Sequence, residues 1–221
     1  MKATVFVLVA TIIAGAATAQ PVKLGKYELQ PIGVELSLEK LQGRDVARVV
    51  KPVENTNADA PTFAKLAGVD FMNGVIEVKL LSRLLKTASE GARGFIGVAF
   101  RIAEDNSKFE SIYIRPTNGR AEDQIRRNHS TQYFSYPDFP FDRLRKEAPE
   151  KYESYADMGL DEWITLRIEV KDMQAKLFVN DAKQPTLIVN DLKHGLSSGG
   201  VGLWLDNGTE AFFGEVIIQK R

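Results

Sequence analysis

The chain has no cysteine in 221 residues, so no disulfide can restrain its unfolded state and its stability has to come from a packed core. Nor is there an excess of charge of either sign: 29 Lys plus Arg face 29 Asp plus Glu. No global field draws in nucleic acid or an anionic membrane, and a charged partner has to be met by a local patch. Histidine is limited to His129 and His194; far apart and without cysteine, they argue against a zinc site. A G-x-S-x-G elbow, a P-loop and a dinucleotide fingerprint are all missing, which removes acyl-transfer hydrolases, NTPases and Rossmann enzymes. The lack of a fixed-period repeat or a low-complexity tract disfavours solenoids and propellers.

One long apolar stretch is present, at the N-terminus. In MKATVFVLVATIIAGAATA the only charge is Lys2, residues 5–13 are apolar, and Ala17 and Ala19 precede Gln20. The stretch is too short to cross roughly 30 Å of hydrocarbon comfortably and reads as a secretory signal cleaved after Ala19. Residues 1–19 are therefore expected to be a signal peptide and residues 20–221 one domain. The product is secreted or periplasmic, with no transmembrane anchor after processing.

Strand-like runs fill most of the rest: residues 32–38, 46–50, 75–81, 94–102, 109–114, 163–170, 175–179, 186–189, 201–205 and 212–218. Polar or Gly-bearing turns such as Lys171-Asp172 and Asn180-Asp181 separate them, the spacing of hairpins and meanders rather than of strands alternating with long helices. This predicts an all-β fold, an antiparallel two-sheet sandwich. Residues 53–68 read as loop, with one helical turn over 62–67. Glycines in GFIGVAF and GGVGLWL leave room for another backbone or a ligand. Residues 116–162 exceed an ordinary connection, yet carry Tyr133, Tyr136, Tyr152 and Tyr155 among other aromatics, so they are expected to be a long ordered insertion lying on the sandwich.

The series FMNGVIEVKL, GFIGVAFR, FESIYIRP, WITLRIEVKDMQAKLFVN and GGVGLWLDNGTEAFFGEVII resembles the concanavalin A-like lectin and glucanase superfamily, most closely its secreted bacterial laminin-G-like and 3-keto-disaccharide-hydrolase-like domains. The resemblance covers about residues 30–219. It implies a jelly roll of two antiparallel sheets that meets carbohydrate on or beside its concave face. Glucanases of the superfamily carry carboxylates at alternate positions of one strand, E-x-D-x-E. This chain has no such motif: Glu77 stands between Val75 and Lys79, and Glu110 between Lys108 and Ile112.

The densest group of directional hydrogen-bonding side chains is Arg115, Arg126, Arg127, Asn128, His129, Gln132 and Tyr133, with Tyr136 beside it. Guanidiniums suit carboxylate or sulfate, amides suit sugar hydroxyls, and a His with a Tyr can move a proton near neutral pH. These eight are the candidate ligand-binding residues; His129, Tyr133 and Glu110 are the candidate catalytic ones. Read as an extended segment, 126–129 would point to alternate faces, so the group cannot all serve one ligand. The competing reading pairs Arg126 and Arg127 with Glu122 and Asp123. Asp206, Asn207 and Glu210 around Gly208 offer oxygen ligands for calcium, although D-N-G is first of all a turn signal; no other cofactor is implied. The preferred function is a lectin-like carbohydrate binder, acidic glycans included. The alternatives are a glycoside hydrolase or polysaccharide lyase of the same fold, and a structural or adhesion domain. Oligomeric state is left open.

Overall fold

A computed structural model of the chain describes residues 22–221; the expected signal segment, 1–19, lies outside them. In β6 (Gly74–Leu84), Ile76, Val78 and Leu80 are buried while Val75, Glu77 and Lys79 are partly exposed, because successive side chains of a strand point to opposite faces. The same alternation in β11 (Ile164–Lys171) buries Ile164, Leu166, Ile168 and Val170, and the register sets Leu166 opposite Val78 and Ile168 opposite Ile76. That apolar face is one wall of the core. Its sheet has seven strands in the order β13 (Leu187–Val189), β12 (Gln174–Val179), β11, β6, β15 (Thr209–Lys220), β4 (Arg44–Val50) and β3 (Glu35–Leu41).

The second sheet has eight strands: β1 (Val22–Leu24), β2 (Tyr27–Ile32), β5 (Phe63–Leu66), β14 (Gly200–Leu205), β7 (Ile96–Ile102), β8 (Phe109–Ile114), β9 (Thr131–Tyr136) and β10 (Glu153–Ser154). All pairings in both sheets are antiparallel. The expected all-β sandwich is what forms. Two register rows cross the eight-stranded sheet. Ala64, Leu203, Val98, Ile112 and Tyr133 face the other sheet, and Phe63, Trp204, Gly97, Tyr113, Gln132 and Glu153 face away from it.

The outward row is nonetheless covered. Phe63, Phe109, Phe134, Tyr113 and Trp204 form a cluster with ring centroids 4.8–5.7 Å apart, and Trp204 Nε1 donates to the Ala60 carbonyl at 3.1 Å. The 51–62 loop is thereby fastened over the sheet. Trp204→Phe is expected to cost about 1–3 kcal/mol, from the lost indole volume and the lost hydrogen bond to Ala60, whose carbonyl keeps the Thr62 N–H as a donor. Urea denaturation measures this, and an unchanged midpoint would show that the indole does not hold the loop.

Two expectations need correction. Residues 63–66 are not a helical turn but a central strand, because Phe63, Ala64 and Leu66 are buried between β2 and β14, and tertiary pairing outweighs local propensity. Residues 116–162 are ordered, but they are not one insertion: β9 lies among them and pairs along its length with β8. Its sequence TQYFSY hides the strand period because both of its faces are buried. The strand glycines admit protein rather than ligand. A Cβ on Gly97 would lie 2.3 Å from the Ile112 carbonyl oxygen, and one on Gly202 would lie 3.0 Å from the Phe63 ring.

Candidate functional site

Arg115 follows β8 two residues after Tyr113 and so emerges on the outward face. Its guanidinium donates to the Tyr113 hydroxyl at 2.7 Å, to Gln132 Oε1 at 3.1 Å, to the His129 carbonyl at 3.1 Å and to Glu153 Oε1 at 3.2 Å. Three aromatic rings surround it, with centroids 4.9 Å (Tyr113), 5.4 Å (Phe141) and 6.0 Å (Phe95) away, placements in which a cation is attracted to the ring quadrupole. Arg115 is the floor of a cleft of about 410 Å³, with Phe95, Phe141, Arg93, Arg126, His129 and Arg145 around it.

Local structure delivers each wall. Pro116 starts a 3-10 turn (Pro116–Asn118) that lifts the chain off the sheet. Helix α1 (Gln124–Asn128) is capped by the Asp123 side chain, which accepts from the Arg126 backbone N–H at 3.0 Å. Helix α2 (Phe141–Glu147) begins after Pro140, and Arg145, one turn beyond Phe141, lies over that ring at 5.3 Å. Arg145 also donates to both oxygens of Glu153. Burial, the largest single influence on the Glu153 carboxyl, acts to raise it. The Arg145 hydrogen bonds and the Arg115 and Arg145 charges outweigh that and hold it below the usual carboxylate range. For His129, burial and the two guanidiniums push the imidazole below its ordinary value against the pull of Glu153, so it is neutral at neutral pH.

Among the described residues, two guanidiniums in the cleft have only neutral partners. Arg93 donates to the carbonyls of Glu90 and Ala92. Arg126 donates to Asn118 Oδ1 at 2.9 Å and to Thr117 Oγ1 at 3.1 Å. Burial lowers the Arg93 guanidinium, and the nearby charges of Arg126 and Arg115 lower it further. With Asp123 and Glu153 against four arginines, the cleft keeps a positive excess.

The expected ligand-binding residues are divided by this geometry. Arg115, Arg126 and His129 line the cleft, and Gln132 supports it from beneath by accepting from Arg115. Arg127 turns away and donates to the Tyr155 hydroxyl, while Asn128 is exposed and accepts from Gln124. Residues 124–128 are helical, which corrects the extended reading, and neither arginine side chain pairs with Glu122 or Asp123. Tyr136 stacks on Phe109 at 5.1 Å and borders a different hollow. Tyr133 and Glu110 are fully buried on the side facing the other sheet. There the Tyr133 hydroxyl donates to Glu110 Oε2 at 2.7 Å and accepts from the Lys193 N–H, while the His194 N–H donates to Glu110 Oε1. Neither reaches the cleft, because strand alternation puts them on the face opposite Arg115.

The proposed calcium ligands do not converge. Asp206 accepts from Lys51 Nζ and from the Asp59 N–H, Asn207 donates to the Thr56 carbonyl, and Glu210 pairs with Arg48. Among the described residues no group of three or more His, Asp or Glu is placed to hold a metal, and no helix is long and apolar enough to cross a membrane.

Sequence reasoning missed Arg93, Phe95, Phe141, Arg145 and Glu153. These come from three separate segments and carry no spacing signal. It also missed Asp59, a buried residue whose carboxylate accepts from the Phe141 N–H at 2.7 Å and so ties the 51–62 loop to the start of α2. Burial, helped by the neighbouring Asp206 charge, raises the Asp59 carboxyl to about 7, against the Phe141 N–H and the Arg115 charge.

No family model matches the sequence, and no curated protein matches it. Among solved structures the chain is similar to the carbohydrate-binding module CBM66 from Bacillus subtilis, at 13% identity and a TM-score of 0.54, covering 86% of this chain and 97% of that one. It is similar to a Bacillus subtilis protein of unknown function with a galectin-like fold, at 10% identity and a TM-score of 0.53, covering 90% and 92%. It is also similar to the cellulose induced protein Cip1, at 14% identity and a TM-score of 0.50, covering 89% and 92%. At these identities the likeness is one of fold: the two sheets form a concanavalin A-like jelly-roll sandwich.

Proposed function

We propose that the protein is a carbohydrate-binding β-sandwich, exported from the cell, whose basic cleft holds an acidic unit of a glycan. The observation that carries this reading is the pair of guanidiniums, Arg93 and Arg126, with no carboxylate partner among the described residues, set beside Arg115 between the rings of Phe95 and Phe141. A carboxylate or sulfate supplies the missing counter-charge through charge-assisted hydrogen bonds, and the rings offer flat apolar surface to the face of a sugar. The fold it shares with a carbohydrate-binding module is in keeping with this.

Binding is favoured over glycoside hydrolysis, because the carboxyl groups next to the cleft are already engaged. Glu153 is held by two arginines, Asp123 caps α1, and Asp59 is buried behind Phe141. Hydrolysis needs two available carboxyls set across the scissile bond.

Affinity electrophoresis in gels containing hyaluronan, polygalacturonate or chondroitin sulfate, with dextran as the neutral control, tests the proposal. Retardation is expected only in the acidic gels and is expected to weaken as salt rises, since exposed charge attraction is screened. Arg126→Ala is expected to weaken retardation about tenfold or more, as a lost hydrogen bond to a charged group does. Equal mobility in all gels, or retardation untouched by Arg126→Ala, would refute it.

A further inference from the structure

Beside the basic cleft lies a second hollow of a different chemical character. It measures about 600 Å³ and is bordered by Asn55, Asn57, Ala58, Ala60, Pro61 and Tyr136. None of these side chains is charged. The amides of Asn55 and Asn57 and the Tyr136 hydroxyl are not spent on protein partners among the described residues, so two amides and one phenol are free at the same opening.

The two hollows are neighbours by construction. Asp59 stands between Ala58 and Ala60 of the second hollow, and its carboxylate takes the N–H of Phe141, which lines the first. That contact links the two linings.

We infer that the second hollow receives an uncharged sugar unit adjoining the acidic unit in the basic cleft, so that the ligand is an oligosaccharide in which acidic and neutral units are neighbours. The inference rests on the acidic-glycan reading of the cleft. Amides both donate and accept, as sugar hydroxyls and N-acetyl groups require. A second carboxylate would find no guanidinium here and would lose hydration without gaining a counter-charge. The Asp59 carboxyl, buried between Ala58 and Ala60, would add repulsion whenever it is ionised.

Isothermal titration of the purified protein tests this with four probes: glucuronate, a hyaluronan tetrasaccharide in which glucuronate alternates with N-acetylglucosamine, tetragalacturonate, and diacetylchitobiose. The alternating tetrasaccharide is expected to bind at least tenfold tighter than glucuronate, and tetragalacturonate to gain much less from its length. Asn55→Ala/Asn57→Ala, and separately Tyr136→Phe, should reduce the tetrasaccharide gain and leave glucuronate affinity unchanged, with thermal melts confirming the fold. Arg126→Ala should weaken both. If the Asn and Tyr variants bind the tetrasaccharide like wild type, or tetragalacturonate gains as much, the second subsite is overturned while the cleft reading stands. If diacetylchitobiose binds equally to wild type and Arg126→Ala while glucuronate binds neither, the acidic reading fails and the pairing falls with it. Binding of no probe overturns both.

Discussion

Glu153→Ala is expected to remove about 3–5 kcal/mol of folding stability, the range for stripping one partner from a buried ion pair. The Glu153 side chain is 3% exposed and that of Arg115 only 4%, so deletion leaves a guanidinium inside the protein without a counter-charge. Its remaining acceptors, Tyr113, Gln132 and the His129 carbonyl, are neutral and cannot replace it. Arg145 suffers less, because its side chain is 37% exposed and can turn to water. Glu153→Gln keeps an acceptor of the same shape and should cost less than Glu153→Ala, the difference isolating the charge. Denaturant titration reads both, and a loss below about 1 kcal/mol for Glu153→Ala would mean that Arg115 is solvated in the cleft rather than held by the pair.

The second large effect is on pH dependence. The folded protein takes up a proton on Asp59 at about pH 7, where the unfolded chain does so only near 3.8. Between those values the native state binds the extra proton, so this group's contribution to stability falls as pH rises, by roughly 1.4 kcal/mol per pH unit, and levels off above 7. The total is of order 4 kcal/mol. Asp59→Asn removes the titration, keeps an acceptor for the Phe141 N–H, and suits the left-handed backbone at this position, φ 52°. The variant is expected to match wild type near pH 4, to exceed it increasingly up to about pH 7, and to keep that advantage at pH 8. Glu153 and Asp191, whose carboxyls lie below their ordinary values, act in the opposite direction at acid pH. The comparison is therefore the difference between the two proteins at each pH, and a difference that does not change with pH would refute a buried neutral Asp59.

What was legible in the residues follows from how much of each signal is local. The strands over 75–81, 109–114 and 163–170 show where they lie because one residue in two is apolar or the whole run is, and the observed elements Gly74–Leu84, Phe109–Ile114 and Ile164–Lys171 coincide with them to within a few residues. β5 and β9 were misread because their surroundings, not their own patterns, bury them. Within the site, Arg115, Arg126 and His129 were found because they cluster in sequence. Tyr133 belonged to the same cluster, but a single step along a strand moves a side chain to the opposite face of the sheet.

Sequence alone determined the class of fold and the source of its stability. With no cysteine, near-balanced charge and two-residue apolar periods, the chain has to bury its strands in a sandwich core. Tertiary structure alone decided where the charge lies. Arg93, Arg115, Arg126 and Arg145 span more than fifty positions, and only the pairing of β8 with β9 and β10, followed by the return of α2 over the sheet, gathers them round one hollow. The physical reason is that strand alternation is fixed over neighbouring residues, whereas electrostatic excess in a cleft is a sum over segments that the chain brings together only when it folds.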